Sequence, residues 1–311
     1  DWNDWQGTAS PLELGANGEW HGVEPSAGIG DRYRFAITGP DGSCVEHADP
    51  LAFRTDVPPD TASIVHRNTY RWGDQVWREP AAQTDLSANP VSIYEVHLGS
   101  WRAAHGYAEL ATALTEYVTT LGFTHVELLP VMGHPFGGSW GYQVTSYFAP
   151  SAVWGTPDEL KALIDALHQA GIGVILDWVP AHFPTDPWAL ANFDGTPLYE
   201  QAGRGTHPDW DTFEFDLTKP EVRSFLTSSA RYWIEEYHAD GLRFDAVASL
   251  LYLDYSRGVG EWEPNERGGN HHLEAVTLLQ NINELVATEL PGAFTIAEES
   301  TAWPGVTAST G

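Results

Sequence analysis

The feature that most restricts the fold is a repeated unit of apolar strand, loop and amphipathic helix that runs from Val91 to Glu299. The runs VSIYEVHL (Val91 to Leu98), HVELLPV (His125 to Val131), GVILDWV (Gly173 to Val179), GLRFDAV (Gly241 to Val247) and FTIAEE (Phe294 to Glu299) read as five buried strands. Segments with helical spacing lie between them. Leu110, Leu114, Tyr117, Val118 and Leu121 share one face before a stop at Gly122. The next helix is marked at both ends. Thr156 is its N-cap, Pro157 its first position and Glu159 closes a capping box; a stripe of Leu160, Leu163, Ile164 and Leu167 then runs to the terminator Gly171. Two more helices are predicted, one from Pro220 to about His238 and one from about His271 to Leu290. Strands alternating with helices imply a parallel sheet, either doubly wound or closed into a barrel.

Before this repeat the pattern differs. Short alternating runs such as RYRFAI (Arg32 to Ile37), broken by turns at Gly39–Pro40 and Asp41–Gly42, predict a small β-sandwich. Its tryptophans (Trp2, Trp5, Trp20, Trp72, Trp77) have faces suited to sugar stacking but are read first as sandwich core. The polar stretch AAQTDLSANP (Ala81 to Pro90) separates the two regions, so the expected division is residues 1–86 and residues 87–311.

Composition narrows the partners. Acidic residues outnumber basic ones 43 to 15, a formal net charge of −28, which would repel nucleic acid and anionic membrane surfaces. No stretch approaches the roughly 20 apolar residues that span a bilayer, and DWNDWQG at the start lacks the basic and apolar segments of a signal peptide. A soluble chain is expected. The single Cys44 can form no internal disulfide, and a reducing cytoplasm fits. A monomer needing no cofactor is expected.

In an eight-fold β/α barrel an ionisable residue at the carboxyl end of a strand reads as catalytic. Three successive strands end in this way, with Asp177 after GVIL, Asp245 after GLRF and Glu298 after FTIA. Any one of them alone could be a structural ion-pair partner. Arg243 and Asp245 have the strand period of two and so emerge on one face, where the arginine should keep Asp245 ionised, as a nucleophile must be. Glu298 would then be the acid that holds its proton until it donates it to a leaving oxygen. Two carboxylates with separate roles are what glycosidic cleavage needs. His182 lies in the loop after the third strand, and the glycine-rich GGSWGYQ (Gly137 to Gln143) offers Trp140 and Tyr142 for stacking on a pyranose ring. That loop lacks phosphate-loop spacing, and His134, Asp177 and His182 lack a familiar metal-ligand spacing, so no metal is expected.

These segments carry a family signature. SIYEVHLGSWR (Ser92 to Arg102), GSWGYQVTSYFAP (Gly138 to Pro150), ILDWVPAHFPTD (Ile175 to Asp186), DGLRFDAVASLLYLDYSR (Asp240 to Arg257), GEWEPNERGG (Gly260 to Gly269) and AEESTAWPGV (Ala297 to Val306) resemble the alpha-amylase superfamily, glycoside hydrolase family 13. Within it, SIYEVHLGSWR and AEEST followed by PGV resemble the bacterial 1,4-alpha-glucan (glycogen) branching enzymes. The resemblance implies a (β/α)8 barrel of TIM type preceded by a carbohydrate-binding β-sandwich. It implies Asp245 as nucleophile, Glu298 as general acid/base, Arg243 as the residue orienting the nucleophile, and Tyr142, Asp177 and His182 as lining the subsite of the cleaved sugar. Strand alternation should turn Glu299 away. Ala181 stands where the family often has glycine and Phe244 where it often has valine; neither removes a functional group.

The implied reaction is a retaining transfer from an alpha-1,4-glucan such as glycogen or amylose to a 6-hydroxyl, with the two carboxyl groups about 5–5.5 Å apart. A hydrolase of the same superfamily would use the same carboxylates with water as acceptor. A non-catalytic glucan-binding fragment is the other alternative; the loss of Asp245 or Glu298 would argue for it, and both are present, but the way the chain ends keeps it open. The sandwich leaves roughly 220 residues for a barrel that typically takes about 250, and five strands can be counted. The superfamily's third carboxylate, in a His-Asp motif, has no match after Glu298. A piece of a longer enzyme, inactive alone, is therefore expected.

Overall fold

The computed structural model describes residues 1–16, 18–81, 89–102, 106–203 and 206–307. In the N-terminal region all strand pairs are antiparallel. Strands β1 (Glu13–Leu14) and β2 (Trp20–His21) form one pair, β3 (Arg32–Tyr33) joins β6 (Ser63–Ile64), and β4 (Phe35–Thr38) joins β5 (Cys44–His47). The turn between β4 and β5 needs Gly42 in the left-handed region (φ 81), and the Asp41 carboxylate accepts the Ser43 amide at 2.9 Å. Helix α1 (Gln75–Ala81) follows, and the boundary expected at residue 86 falls outside the described residues.

This region rests directly on the rest of the chain. The Ala48 amide donates to the Trp188 carbonyl at 2.8 Å, and the Trp77 indole donates to Asp240 at 2.8 Å. Two of the tryptophans expected inside the sandwich dock outward instead. Trp72 stacks on His238 and Trp77 on His168, with ring centroids 3.8 and 5.6 Å apart. Trp20 is exposed.

The second region alternates as expected: β7 (Ile93–Val96), α2 (Tyr107–Leu121), β8 (His125–Leu128), the antiparallel pair β9 (Met132–Gly133) and β10 (Ser146–Pro150), then α3 (Pro157–Gln169) and β11 (Gly173–Trp178). A second short pair, β12 (His182–Phe183) and β13 (Phe213–Glu214), precedes α4 (Pro220–Glu236), β14 (Gly241–Phe244), α5 (Val247–Leu251), α6 (Leu273–Glu289) and β15 (Phe294–Ala297). At α3 the Thr156 hydroxyl accepts the Glu159 amide at 3.3 Å and the Glu159 carboxylate accepts the Thr156 amide at 2.7 Å. Gly171 takes the positive φ (77) that ends that helix.

The sheet order is β15-β14-β11-β8-β7, and every pairing is parallel. Each strand therefore lies beside the next in sequence, with no reversal of direction across the sheet. A doubly wound sheet has such a reversal. The monotonic order is that of a barrel wall, and it decides between the two architectures the sequence left open. One face of the strands presents Val126, Leu128, Val174, Leu176, Trp178, Leu242 and Phe244 to the helices, all in the hydrophobic core. The alternate residues, Glu127, Ile175, Asp177 and Arg243, line the other face. Among the described residues no helix is long and apolar enough to cross a membrane.

Candidate active site

Register decides how the three carboxylates meet. Asp177 pairs with Arg243 across β11 and β14, and Arg243 with Ile296 across β14 and β15. Asp177 thus stands level with the arginine, two residues below the layer of Asp245, and is not at the same height as the other two acids. Asp245 and Glu298 follow their strands side by side. The Glu298 amide donates to the Phe244 carbonyl at 2.9 Å and the Asp245 amide to the Trp178 carbonyl at 2.9 Å, so both residues continue the ladder by one step. The chain then turns. Ala246 takes a left-handed conformation (φ 53), its amide donates to Glu298 Oε2 at 2.9 Å, and α5 begins. Glu299 is turned away, its carboxylate accepting the Thr301 amide at 2.8 Å.

One guanidinium nitrogen ties the site together. Arg243 Nη1 donates to both oxygens of Asp177, at 2.9 and 3.0 Å, and to Asp245 Oδ1 at 2.7 Å. The Tyr142 hydroxyl donates to Asp177 Oδ2 at 2.7 Å. Burial pushes the Asp177 carboxyl up to about 7; Arg243 and Tyr142 oppose the push and Asp245 adds to it. Asp245 is also raised, by burial first and then by Glu298, and Arg243 only partly offsets this. Desolvation thus works against Arg243, the residue expected to keep Asp245 ionised. Burial likewise lowers the His182 imidazole to about 3, with His207 contributing, so His182 is neutral. Its Nε2 lies 3.9 Å from Asp245 Oδ2, and its Nδ1 has no hydrogen-bond partner among the described residues.

Known proteins are similar to the chain over its whole length. Residues 110–193 match the family model described as alpha amylase, catalytic domain. The chain is 58% identical over its whole length to the 1,4-alpha-glucan branching enzyme GlgB of Nocardia farcinica, spanning 42% of that protein. It is also 58% identical over 99% of its length to GlgB 1 of Streptomyces coelicolor, spanning 40% of that protein. The chain is thus similar over its whole length to proteins named branching enzymes, and over residues 110–193 to the alpha amylase catalytic domain. It spans less than half the length of these two relatives, which are named as branching enzymes. The fold is shared with a Salmonella typhimurium protein assigned as an alpha amylase, at TM-score 0.69 and 23% identity, over 92% of this chain and 43% of that one.

All six candidate site residues singled out from the sequence come together. Tyr142, Asp177, Arg243 and Asp245 are linked by hydrogen bonds, His182 faces Asp245, and Glu298 caps the turn after Asp245. Sequence reasoning missed what lies behind His182. Trp210 packs on its ring at 4.8 Å, and His207 stacks on Trp210 at 3.9 Å and 7°. Tyr255, from the loop after α5, closes on the same cluster, 5.9 Å from His207. The only signal for this was two aromatic loops, HPDW and LDYSR, far apart in the chain. Among the described residues no group of three or more His, Cys, Asp or Glu side chains is arranged to hold a metal.

Proposed function

We propose that this chain carries the nucleophile and the acid/base of a 1,4-alpha-glucan branching enzyme acting by a retaining double displacement. The observation that carries the reading is the adjacency of Asp245 and Glu298 at the carboxyl ends of neighbouring parallel strands, with Arg243 bonded to Asp245 at 2.7 Å. Asp245 attacks the anomeric carbon of an alpha-1,4-linked chain while Glu298 protonates the departing oxygen. The glycosyl group is then held as an ester on Asp245. Glu298, now a carboxylate, takes the proton from a glucan 6-hydroxyl, whose oxygen attacks the same carbon and forms an alpha-1,6 branch. Two inversions give retention.

The remaining residues position. Tyr142 and Asp177 hold one edge of the sugar site, and neutral His182 offers a hydrogen bond without adding charge beside Asp245. Region 1–86 is read as a carbohydrate-binding β-sandwich and 87–311 as barrel. The enzyme would act as a cytoplasmic monomer on glycogen or amylose, with no cofactor. Two features support transfer over hydrolysis: the motifs SIYEVHLGSWR and AEEST, and the whole-length similarity to proteins named branching enzymes. The test is incubation with amylose of the protein expressed from its complete reading frame. Iodine staining should fall with no rise in reducing ends; reducing sugar released in proportion would replace transfer by hydrolysis.

A further inference from the structure

Trp140 is the one aromatic of the GGSWGYQ loop that the site leaves unused. It sits in the left-handed region at φ 56, a conformation costly for any residue with a Cβ, and 54% of its surface is exposed. A tryptophan held in a strained backbone and also left in solvent gains nothing from its own burial. Such outliers persist only where the surroundings impose them. Here the surroundings are stiff. The Trp140 amide donates to the Gly137 carbonyl at 3.2 Å, the Tyr142 amide to the Ser139 carbonyl at 3.1 Å, and the Ser139 hydroxyl to the Phe136 carbonyl at 2.7 Å. Gly141 (φ 98) lies so close to Pro130 that a Cβ would stand 2.4 Å from the proline carbonyl oxygen.

The loop thus fixes two aromatic rings at once. Tyr142 points in, onto Asp177. The Trp140 ring is backed by His97, stacked at 5.4 Å and 20°, and His97 is itself held by Ser100 at 2.9 Å. His97 directly follows β7 and Trp140 lies in the loop after β8, the two strands farthest in the sheet from β14 and β15, which carry the catalytic carboxylates. Tyr142, two residues on, reaches Asp177, so a sugar on Trp140 is a different one from the sugar those two residues line.

We propose that Trp140, backed by His97, is a stacking subsite for a glucose ring of the alpha-glucan chain other than the reacting sugar. The indole offers an electron-rich apolar face, and the C–H face of a pyranose is its complement. This inference rests on the glucan-transfer reading above. Binding of maltoheptaose, measured by calorimetry on the protein from its complete reading frame, tests it. Trp140→Ala should weaken binding about tenfold and Trp140→Phe should restore most of it. Trp140→Gly, which suits the positive φ, should bind as poorly as the alanine variant while melting no lower than the parent, separating a lost ring from a lost fold. Equal maltoheptaose affinity in parent, alanine and glycine variants would overturn the subsite and leave the glucan reading standing. A parent that does not bind maltoheptaose would overturn both.

Discussion

A single guanidinium serves two buried carboxylates in this site. Arg243 Nη1 reaches Asp177 and Asp245 together, and both acids are pushed upward by burial despite it. A proton resident on Asp177 would leave the whole positive charge to Asp245, the proposed nucleophile, which attacks as an anion. The consequence can be read in stability. The folded value for Asp177, about 7, lies above the ordinary carboxylate value, so its contribution is fully present below about pH 4 and is lost as pH rises to about 7. Urea unfolding of the parent and of Asp177→Asn across this range should show the parent losing up to about 4 kcal/mol relative to the variant, at about 1.4 kcal/mol per pKa unit. An offset that does not change with pH would contradict this. At the same scale, the His182 ring resonance should stay fixed between pH 8 and pH 5, because burial holds it at about 3. A titration midpoint near the ordinary histidine value would mean that the Trp210 and His207 stack does not exclude water from it.

At the scale of elements, local chemistry was legible and lateral placement was not. The capping box of α3 could be read from Thr156 and Glu159 because all its partners lie within three residues. Thr156→Ala should cost about 1 kcal/mol of stability in thermal unfolding. The end of β14 could not be read. GLRFDAV is apolar enough to run on as strand, yet it stops at Phe244 because Glu298, more than fifty residues later, takes the Ala246 and Val247 amides. The level of Asp177 was hidden for the same reason, since height in a parallel sheet depends on how strands are staggered. The glycine-rich loop lies between these cases. Its turn residues were plain in the sequence, but the need for Gly141 comes from Pro130 beneath it. Gly141→Ala should displace Tyr142 from Asp177 and lower kcat/KM on amylose about tenfold or more, with a stability loss of about 1–3 kcal/mol.

At the scale of the whole molecule, one of the attachments of the N-terminal region lies at the end of the strands opposite the site, centred on Asp74. Asp74 Oδ2 accepts from His168 Nδ1 at 3.0 Å and from His238 Nδ1 at 2.7 Å, and His168 Nε2 reaches Asp240 at 3.0 Å. Hydrogen bonds to the two imidazoles hold Asp74 well below the usual carboxylate range against its burial, and the two aspartates hold the buried His168 above its ordinary value. Both directions favour the charged pair. The Asp74 contribution is present above about pH 4 and the His168 contribution below about pH 6.5, fading as pH rises through the raised value. Asp74→Ala should destabilise the protein by about 1–3 kcal/mol near pH 6, since it removes one of the two carboxylates that hold the buried His168, and by less at pH 3.

The central claim concerns which carboxylate becomes glycosylated. Removing the acid/base while supplying a substrate whose leaving group needs no protonation isolates that step. Mass spectrometry of the Glu298→Gln variant after reaction with an activated alpha-glucosyl fluoride should find the sugar esterified to the peptide containing Asp245, and none in Asp245→Asn. An adduct on any other carboxylate, or turnover that inverts the anomeric configuration, would contradict the account.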